Sequence, residues 1–295
     1  MAEELSFAKL FGPNRDYRYL EGASNVTLGK GDAFDPTCAW WLAELSMLTY
    51  VKEHAFIRTQ LEQVQAAEIR IIDAEEAGVR VIIAEVNSCL IIVFRGTETD
   101  SLINLQTDLD ALPVKWEQGG LAHRGFQAAL QKVWERIHDS ILEFSGEDVY
   151  YGGHSMGGAL ALLAASRSQK GRAVYTFGTP RVGDSQFAES FPLSVYRIVH
   201  NNDIVTEIPL PGLYRHVGIE YHLSHTGELQ EKPELRERLA RKAQGHLDHA
   251  RQVAKAWMNG DATAIPQDNV VDHAPIFYAT LLKLNRDIKQ ASDVV

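Results

Sequence analysis

The sequence is short of cysteine, of positive charge and of long apolar runs, and each shortage closes off a class of protein. Two cysteines, Cys38 and Cys89, among 295 residues make neither a disulfide framework nor a metal-ligand spacing, and they read as buried free thiols. Lysines and arginines number 29 against 39 aspartates and glutamates, a formal net charge of −10. Nothing resembles a basic stripe, which argues against a nucleic-acid partner and against permanent electrostatic docking on an anionic membrane. Brief hydrophobic contact with a lipid interface stays open. The most apolar region, 79–94, is interrupted by Glu85 and Asn87, so it reads as two strands rather than a membrane span. The start, Met1-Ala-Glu-Glu-Leu-Ser6, is acidic and lacks a basic-then-apolar leader. The expected location is therefore cytoplasmic, although export without a leader, or removal of one, leaves the same sequence. There is no internal repeat and no low-complexity tract.

Hydrophobic residues make up 45% and charged residues 23%, ordinary values for a globular protein able to bury one large core or two modest ones. The most informative stretch is Gly153-His154-Ser155-Met156-Gly157. A short β-prone segment, 148–151, precedes it, and a run of helix formers, 158–168, follows it. A strand that turns abruptly into a helix with serine at the apex is the nucleophile elbow of an acyl hydrolase. The turn brings backbone against backbone, which leaves little room for side chains two residues either side of Ser155. Ser155 then sits at a helix N-terminus, where unpaired N–H groups can face a developing oxyanion.

The remaining pattern is α/β. A mostly buried helix is expected over 36–51, starting near Asp35. Strands follow over 69–74, 79–86 and 89–94, with a hairpin at 75–78. Apolar residues at helical spacing (Ala129, Leu130, Val133, Ile137, Ile141) predict one amphipathic helix over 126–144. Strands are expected over 173–177 and 195–200, with a short helix near 185–190 between them, and a closing helix over 270–288. Residues 1–35 read as an arm laid over the body. Residues 228–257 are rich in Glu, Lys, Arg and Ala and read as one or two charged surface helices inserted before the last element. Strands alternating with helices imply a parallel sheet with helices on both faces.

A serine hydroxyl needs a base, and the base needs a carboxylate to hold its tautomer. In this architecture they follow the serine in the order acid, then histidine, from loops at the C-terminal ends of later strands. Asp203 lies three residues beyond the strand ending at His200; Asp184, in another turn, and Glu207, further along the same loop, are the other acids nearby. Among the later histidines, His216 lies in a strand-like run, 214–221, and reads as packed within the sheet. His246 and His249 sit on the charged insert beside Asp248 with no third ligand apparent, so a solvated helix face is preferred over a metal pair. His273 ends a loop that enters the last helix and is chosen as the base. His154 is held beside the nucleophile and points elsewhere; His123 reads as structural. One oxyanion donor is the N–H of Met156, and the turn after the strand ending at Phe94 offers the N–H of Thr97 as the other.

With these residues in place, the chain resembles the class 3 lipases, the fungal-lipase-like branch of the α/β-hydrolases, as a bacterial-type member without a signal peptide. The blocks that carry the resemblance are Val93-Phe-Arg-Gly-Thr97, His123-Arg-Gly-Phe126, the elbow at 153–157, and Thr176-Phe-Gly-Thr-Pro-Arg-Val-Gly-Asp184. Asp203-Ile-Val with Pro209 and Pro211, His216-Val-Gly-Ile-Glu220, and Asp272-His273 continue the series. It runs over about 36–282, puts His216 at a non-catalytic position, and puts His273 at the base. Thr206 stands where many members carry proline, Glu98 where a small residue is common, and the insert is longer than in compact members.

The resemblance implies a single α/β-hydrolase domain over 1–295, with a central, mostly parallel sheet, helices on both faces and a short lid. The lid falls at 99–114, where Leu102, Ile103, Leu105, Leu109 and Leu112 form an apolar set able to gate acyl-chain entry; a fixed helix packed on the core is the plainer reading. The implied activity is carboxylic-ester hydrolysis of acylglycerol lipids through an acyl-enzyme, with Ser155 as nucleophile, His273 as base and Asp203 as acid. No metal or organic cofactor is called for. A phospholipase or a short-chain or aromatic-acid esterase of the same fold is the rival activity, and a catalytically silent binding module the rival from another class.

Overall fold

The computed structural model describes residues 15–23, 28, 33–96, 112–209, 211–232 and 271–292. Among these residues the frame is an eight-stranded sheet. Its strands are β1 (Ala67–Ala74), β2 (Val79–Val86), β3 (Cys89–Phe94), β6 (Val149–His154), β7 (Ala173–Phe177), β8 (Ser194–His200), β9 (Ile219–Leu223) and β10 (Leu229–Glu231), side by side in that order. A separate two-stranded piece pairs β4 (Pro113–Lys115) with β5 (Leu121–His123). The five strands β3, β6, β7, β8 and β9 run parallel, and β1, β2 and β10 join antiparallel at the flanks.

The parallel strands are apolar almost throughout because both their faces are covered. In β3, Cys89, Ile91 and Val93 face one core, and Leu90, Ile92 and Phe94 face the other. The first core lies under α1 (Pro36–Leu48) and α7 (Pro275–Ser292). The second lies under α3 (Arg124–Gln131), α4 (Trp134–Glu143) and α5 (Met156–Ser168). Two short helices, α2 (His54–Gln63) and α6 (Ser185–Glu189), complete the described set.

Every residue of α1 from Cys38 to Leu48 is buried, as its all-round apolar sequence requires. It starts where expected: Asp35 caps it by accepting the Thr37 N–H at 2.8 Å, with Pro36 in its first turn. It ends at Leu48, three residues before the expected limit. Glu44 lies inside this helix and accepts from the Tyr17 hydroxyl at 2.6 Å, the Trp40 indole at 3.2 Å and the Leu20 N–H at 3.2 Å. Burial pushes its carboxyl above the usual range. This buried acceptor fastens the described part of the N-terminal stretch onto α1.

Three expectations are corrected. The single helix over 126–144 is two helices, because the backbone tightens at Lys132 and Val133, whose N–H groups bond three residues back to Ala129 and Leu130. Apolar spacing carries through the break, since Leu130, Val133, Ile137 and Ile141 all stay buried. The run over 214–221 is not one strand. Gly218 has φ +82° and interrupts it, so β9 begins only at Ile219 and His216 lies outside the sheet. Finally, Leu229–Glu231 is a strand paired with β9 rather than the start of a helix; positions 233–257 of the expected insert lie outside the described residues.

Candidate active site

The site gathers at the C-terminal ends of β3, β6, β7 and β8. β6 ends at His154, and Ser155 makes the turn into α5 with φ +58° and ψ −130°, a backbone region that L-residues seldom occupy. The turn is held from β7, where the Phe177 carbonyl accepts the Ser155 N–H at 2.8 Å. The flanking glycines are steric necessities: a Cβ on Gly153 would collide with the backbone of Gly157, and one on Gly157 with the carbonyl oxygen of Phe94. Ser155 is buried, and among the described residues its Oγ makes no hydrogen bond.

Asp203 follows β8, and its carboxylate is organised on both oxygens. Oδ1 accepts the Val205 N–H at 2.9 Å. Oδ2 accepts from Nδ1 of His273 at 2.7 Å and from the Tyr278 hydroxyl at 2.6 Å. Both side chains of the Asp203–His273 pair are fully buried. Because Nδ1 faces a carboxylate oxygen, it carries the imidazole proton, which leaves the lone pair on Nε2. Gly178 is where this pair meets the elbow's support. It follows Phe177, which holds Ser155. A Cβ on Gly178 would collide with Oδ2 of Asp203 and lie 2.8 Å from His273 Nδ1.

The loop carrying His273 is clasped to the loop carrying Asp203. The Asp272 carboxylate accepts from the Asn201 side chain at 2.8 Å and the Asn202 N–H at 3.1 Å. Its carbonyl accepts from Nδ1 of His200 at 2.8 Å. Burial lowers the proton affinity of His200, so its imidazole is a neutral donor. The Tyr278 hydroxyl accepts the His200 N–H at 3.1 Å while donating to Asp203. Burial, with the Asp203 charge second, pushes the Tyr278 hydroxyl far up, and it stays protonated.

His154 points away from the nucleophile, as expected, and it is occupied. Its Nε2 lies 2.6 Å from the carbonyl oxygen of His273, and its Nδ1 lies 2.8 Å from the Tyr50 hydroxyl. A carbonyl only accepts, so Nε2 bears the proton and Nδ1 accepts from Tyr50. Burial, reinforced by His273 nearby, holds this imidazole's proton affinity well below normal.

The other candidates have different work. Asp184 caps α6 by accepting the Phe187 N–H at 2.9 Å. Glu207 sits 3.5 Å from the Arg181 guanidinium. His216 Nε2 lies 2.9 Å from the Thr206 carbonyl oxygen, packing the acid loop. His123 caps α3 and stacks on Phe126, ring centroids 4.0 Å apart. Met156 begins α5 directly after Ser155. Thr97 and the lid residues Leu102, Ile103, Leu105 and Leu109 lie outside the described residues, as do His246 and His249. Leu112, at the end of the expected lid, is described and is 55% exposed. The roles of Tyr278, Asp272, Tyr50 and His200 are not signalled by any motif. The visible hint is a tyrosine in the buried face of α7, in step with Ala274 and Leu282, because a polar tip in a core row needs a partner.

The family described as "Lipase (class 3)" matches residues 91–212, a span that includes Ser155 and Asp203 and stops short of His273. A lipase of Caenorhabditis elegans is 36% identical over 143 residues, 44% of this chain and 40% of its own length. A secreted mono- and diacylglycerol lipase of Gibberella zeae is 28% identical over 148 residues, 43% of this chain and 47% of its own length. The chain thus spans less than half the length of these curated relatives. Among solved structures, a Rhizomucor miehei lipase propeptide complex, a deletion mutant, matches with TM-score 0.56 and 25% identity, over 66% of this chain and 69% of that one.

Proposed function

We infer that this chain is a member of the class 3 lipase family and a serine carboxylic-ester hydrolase acting on acylglycerol lipids, a reading that the family match and the similar lipases support. The observation that carries the reading is the buried His273–Asp203 pair, 2.7 Å apart, packed against Gly178 beside the strained turn at Ser155. The names of the relatives, one of them a mono- and diacylglycerol lipase, support the substrate class.

Ser155 Oγ attacks the ester carbonyl carbon as its proton passes to Nε2 of His273, and Asp203 stabilises the imidazolium through Nδ1. The proton then goes to the departing alcohol, leaving Ser155 acylated. Water, deprotonated by the same imidazole, releases the fatty acid. To the N–H groups of Met156, which opens α5, and of Thr97 we assign the stabilisation of the oxyanion. In support, the end of β3 abuts the elbow: a Cβ on Gly96 would lie 2.9 Å from that of Ser155. The Ser155–His273 hydrogen bond forms as substrate excludes water, as such bonds often tighten only in the complex. To the apolar set within 99–114 we assign the gating of acyl-chain entry, its end at Pro113 and Val114 being held in β4.

Ser155→Ala, assayed on a nitrophenyl ester and on emulsified acylglycerol, decides the nucleophile. The expected loss is on the scale of ~10⁶ in kcat, and retention of most of the activity would sink the reading. A chain-length series above and below substrate solubility decides the class of ester. A jump in rate on emulsified acylglycerol supports a lipase. Activity confined to soluble short-chain esters, or a preference for phospholipid, replaces it with an esterase or a phospholipase.

A further inference from the structure

We propose that His154 is a positioning residue for the base: its side chain holds the main-chain carbonyl of His273 and so sets the imidazole's place relative to the adjoining Ser155. The proposal rests on the Ser155–His273–Asp203 reading above and adds to it a residue that never touches substrate.

His273 is restrained on several sides. Asp203 fixes the rotation of its ring through Nδ1. The clasp of Asp272 by the Asn201 side chain and the Asn202 N–H fixes its turn against the end of β8. Those contacts refer the base to β8, whereas the nucleophile stands at the end of β6. His154 supplies the link to β6 itself, because it is the last residue of that strand, is peptide-bonded to Ser155, and donates from Nε2 to the His273 carbonyl at 2.6 Å. Two atoms that must approach within bonding distance are thereby tied together through one side chain. Near-attack geometry is sensitive to displacements of about 1 Å, which can cost on the order of 10² in rate.

The identity of the donor suits the place. The two imidazoles lie with centroids 4.4 Å apart, and that of His273 becomes cationic in each half-reaction. A lysine or arginine beneath it would repel that charge. His154 is 1% exposed, and burial keeps it uncharged. The Tyr50 hydroxyl at 2.8 Å on Nδ1 selects the tautomer with the proton on Nε2, the one able to hold a carbonyl. Tyr278 packs edge-on against the same ring at 5.8 Å, leaving little freedom to turn.

The test compares the full-length chain with His154→Gln, His154→Asn and Tyr50→Phe. It reads single-turnover acylation by a nitrophenyl ester, per site titrated with a fluorophosphonate, together with kcat and KM. A glutamine amide reaches the place of Nε2, whereas an asparagine amide reaches only that of Nδ1. His154→Asn is expected to slow acylation by roughly 10²-fold with KM within about twofold. His154→Gln is expected to recover to within about tenfold of wild type, and Tyr50→Phe to fall between. A purely structural role would move stability and leave the rate per titrated site alone. Asparagine and glutamine variants that acylate at the wild-type rate, or that are equally slow, would overturn the proposal. If one of them cannot be obtained folded, Tyr50→Phe decides, and a wild-type rate per site there overturns it. Failure of the wild-type protein to label at Ser155 would instead bring down the underlying triad.

Discussion

Tyr278 and His273 converge on a single oxygen: Oδ2 of Asp203 accepts from the tyrosine hydroxyl at 2.6 Å and from the imidazole at 2.7 Å. The second donor fixes where the carboxylate oxygen stands before the imidazole reaches for it. Removing it by Tyr278→Phe leaves the ring and its packing but frees the carboxylate to turn. A hydrogen bond to a charged group contributes ~1.5–3 kcal/mol. If about half of that is expressed at the transition state, kcat falls by roughly 3–10-fold. Steady-state kinetics check this, and an unchanged kcat in a folded variant would show that Val205 N–H and His273 suffice.

Gly178 and Gly78 make a matched pair of substitutions. Their φ values are +59° and +63°, so alanine carries a similar backbone strain of about 1 kcal/mol at each. Their surroundings differ. A Cβ at Gly78 meets nothing within 4 Å, while one at Gly178 strikes Asp203 and His273. Gly78→Ala is expected to lose a little stability and keep its activity. Gly178→Ala is expected to lose about 10² in kcat or more. Thermal melting and ester hydrolysis together separate the two effects, and equal activity in both variants would remove Gly178 from the site.

Acid should unfold the protein through His154 and His200. Burial lowers the proton affinity of both below the ordinary 6.5. An unfolded chain binds these protons near pH 6.5, and the folded one does not until the pH is lower. Their contribution is therefore fully present above pH 6.5 and is lost as the pH falls below it, with a slope of up to about 2.7 kcal/mol per pH unit for two groups. Urea unfolding at pH 7.5, 6.0 and 5.0 measures it. A midpoint that stays level across that range contradicts the assignment, and His200→Gln is expected to flatten the slope by about half.

Glu44 should govern the hold of the N-terminal stretch on α1. Glu44→Ala leaves the Trp40 indole and the Leu20 N–H buried without their acceptor, at ~1–3 kcal/mol each. Trypsin should then cut faster after Arg15 or Arg18, which flank this contact. Unchanged cleavage with full stability would mean that the buried side chains of Tyr19 and Leu20 hold the stretch unaided.

Much of the frame was legible because parallel strands buried on both faces write themselves as unbroken apolar runs. β2, β3 and β7 fall on the expected residues, and Ser155, Asp203 and His273 are named by the elbow, the strand ends and their order. What was not legible depends on partners far away in the chain. The break between α3 and α4 keeps the helical spacing of its apolar residues, so no period changes there. The strand-like run around His216 is divided by one glycine whose backbone angle no composition reveals. Tyr278 bonds to a carboxylate 75 positions away and His154 to a carbonyl 119 positions away; neither pairing leaves a local pattern. Thus the groups proposed to react were readable, while the groups that hold them were not.

The anchoring of His273 has a consequence for how this chain can vary. His154 and His200 at the ends of β6 and β8, with Asn201, Asn202 and Asp203 in the loop directly after β8, grip residues 272 and 273, so the imidazole takes its address from the rim of the sheet. Substitutions that spare these five grips are expected to leave the imidazole at its station.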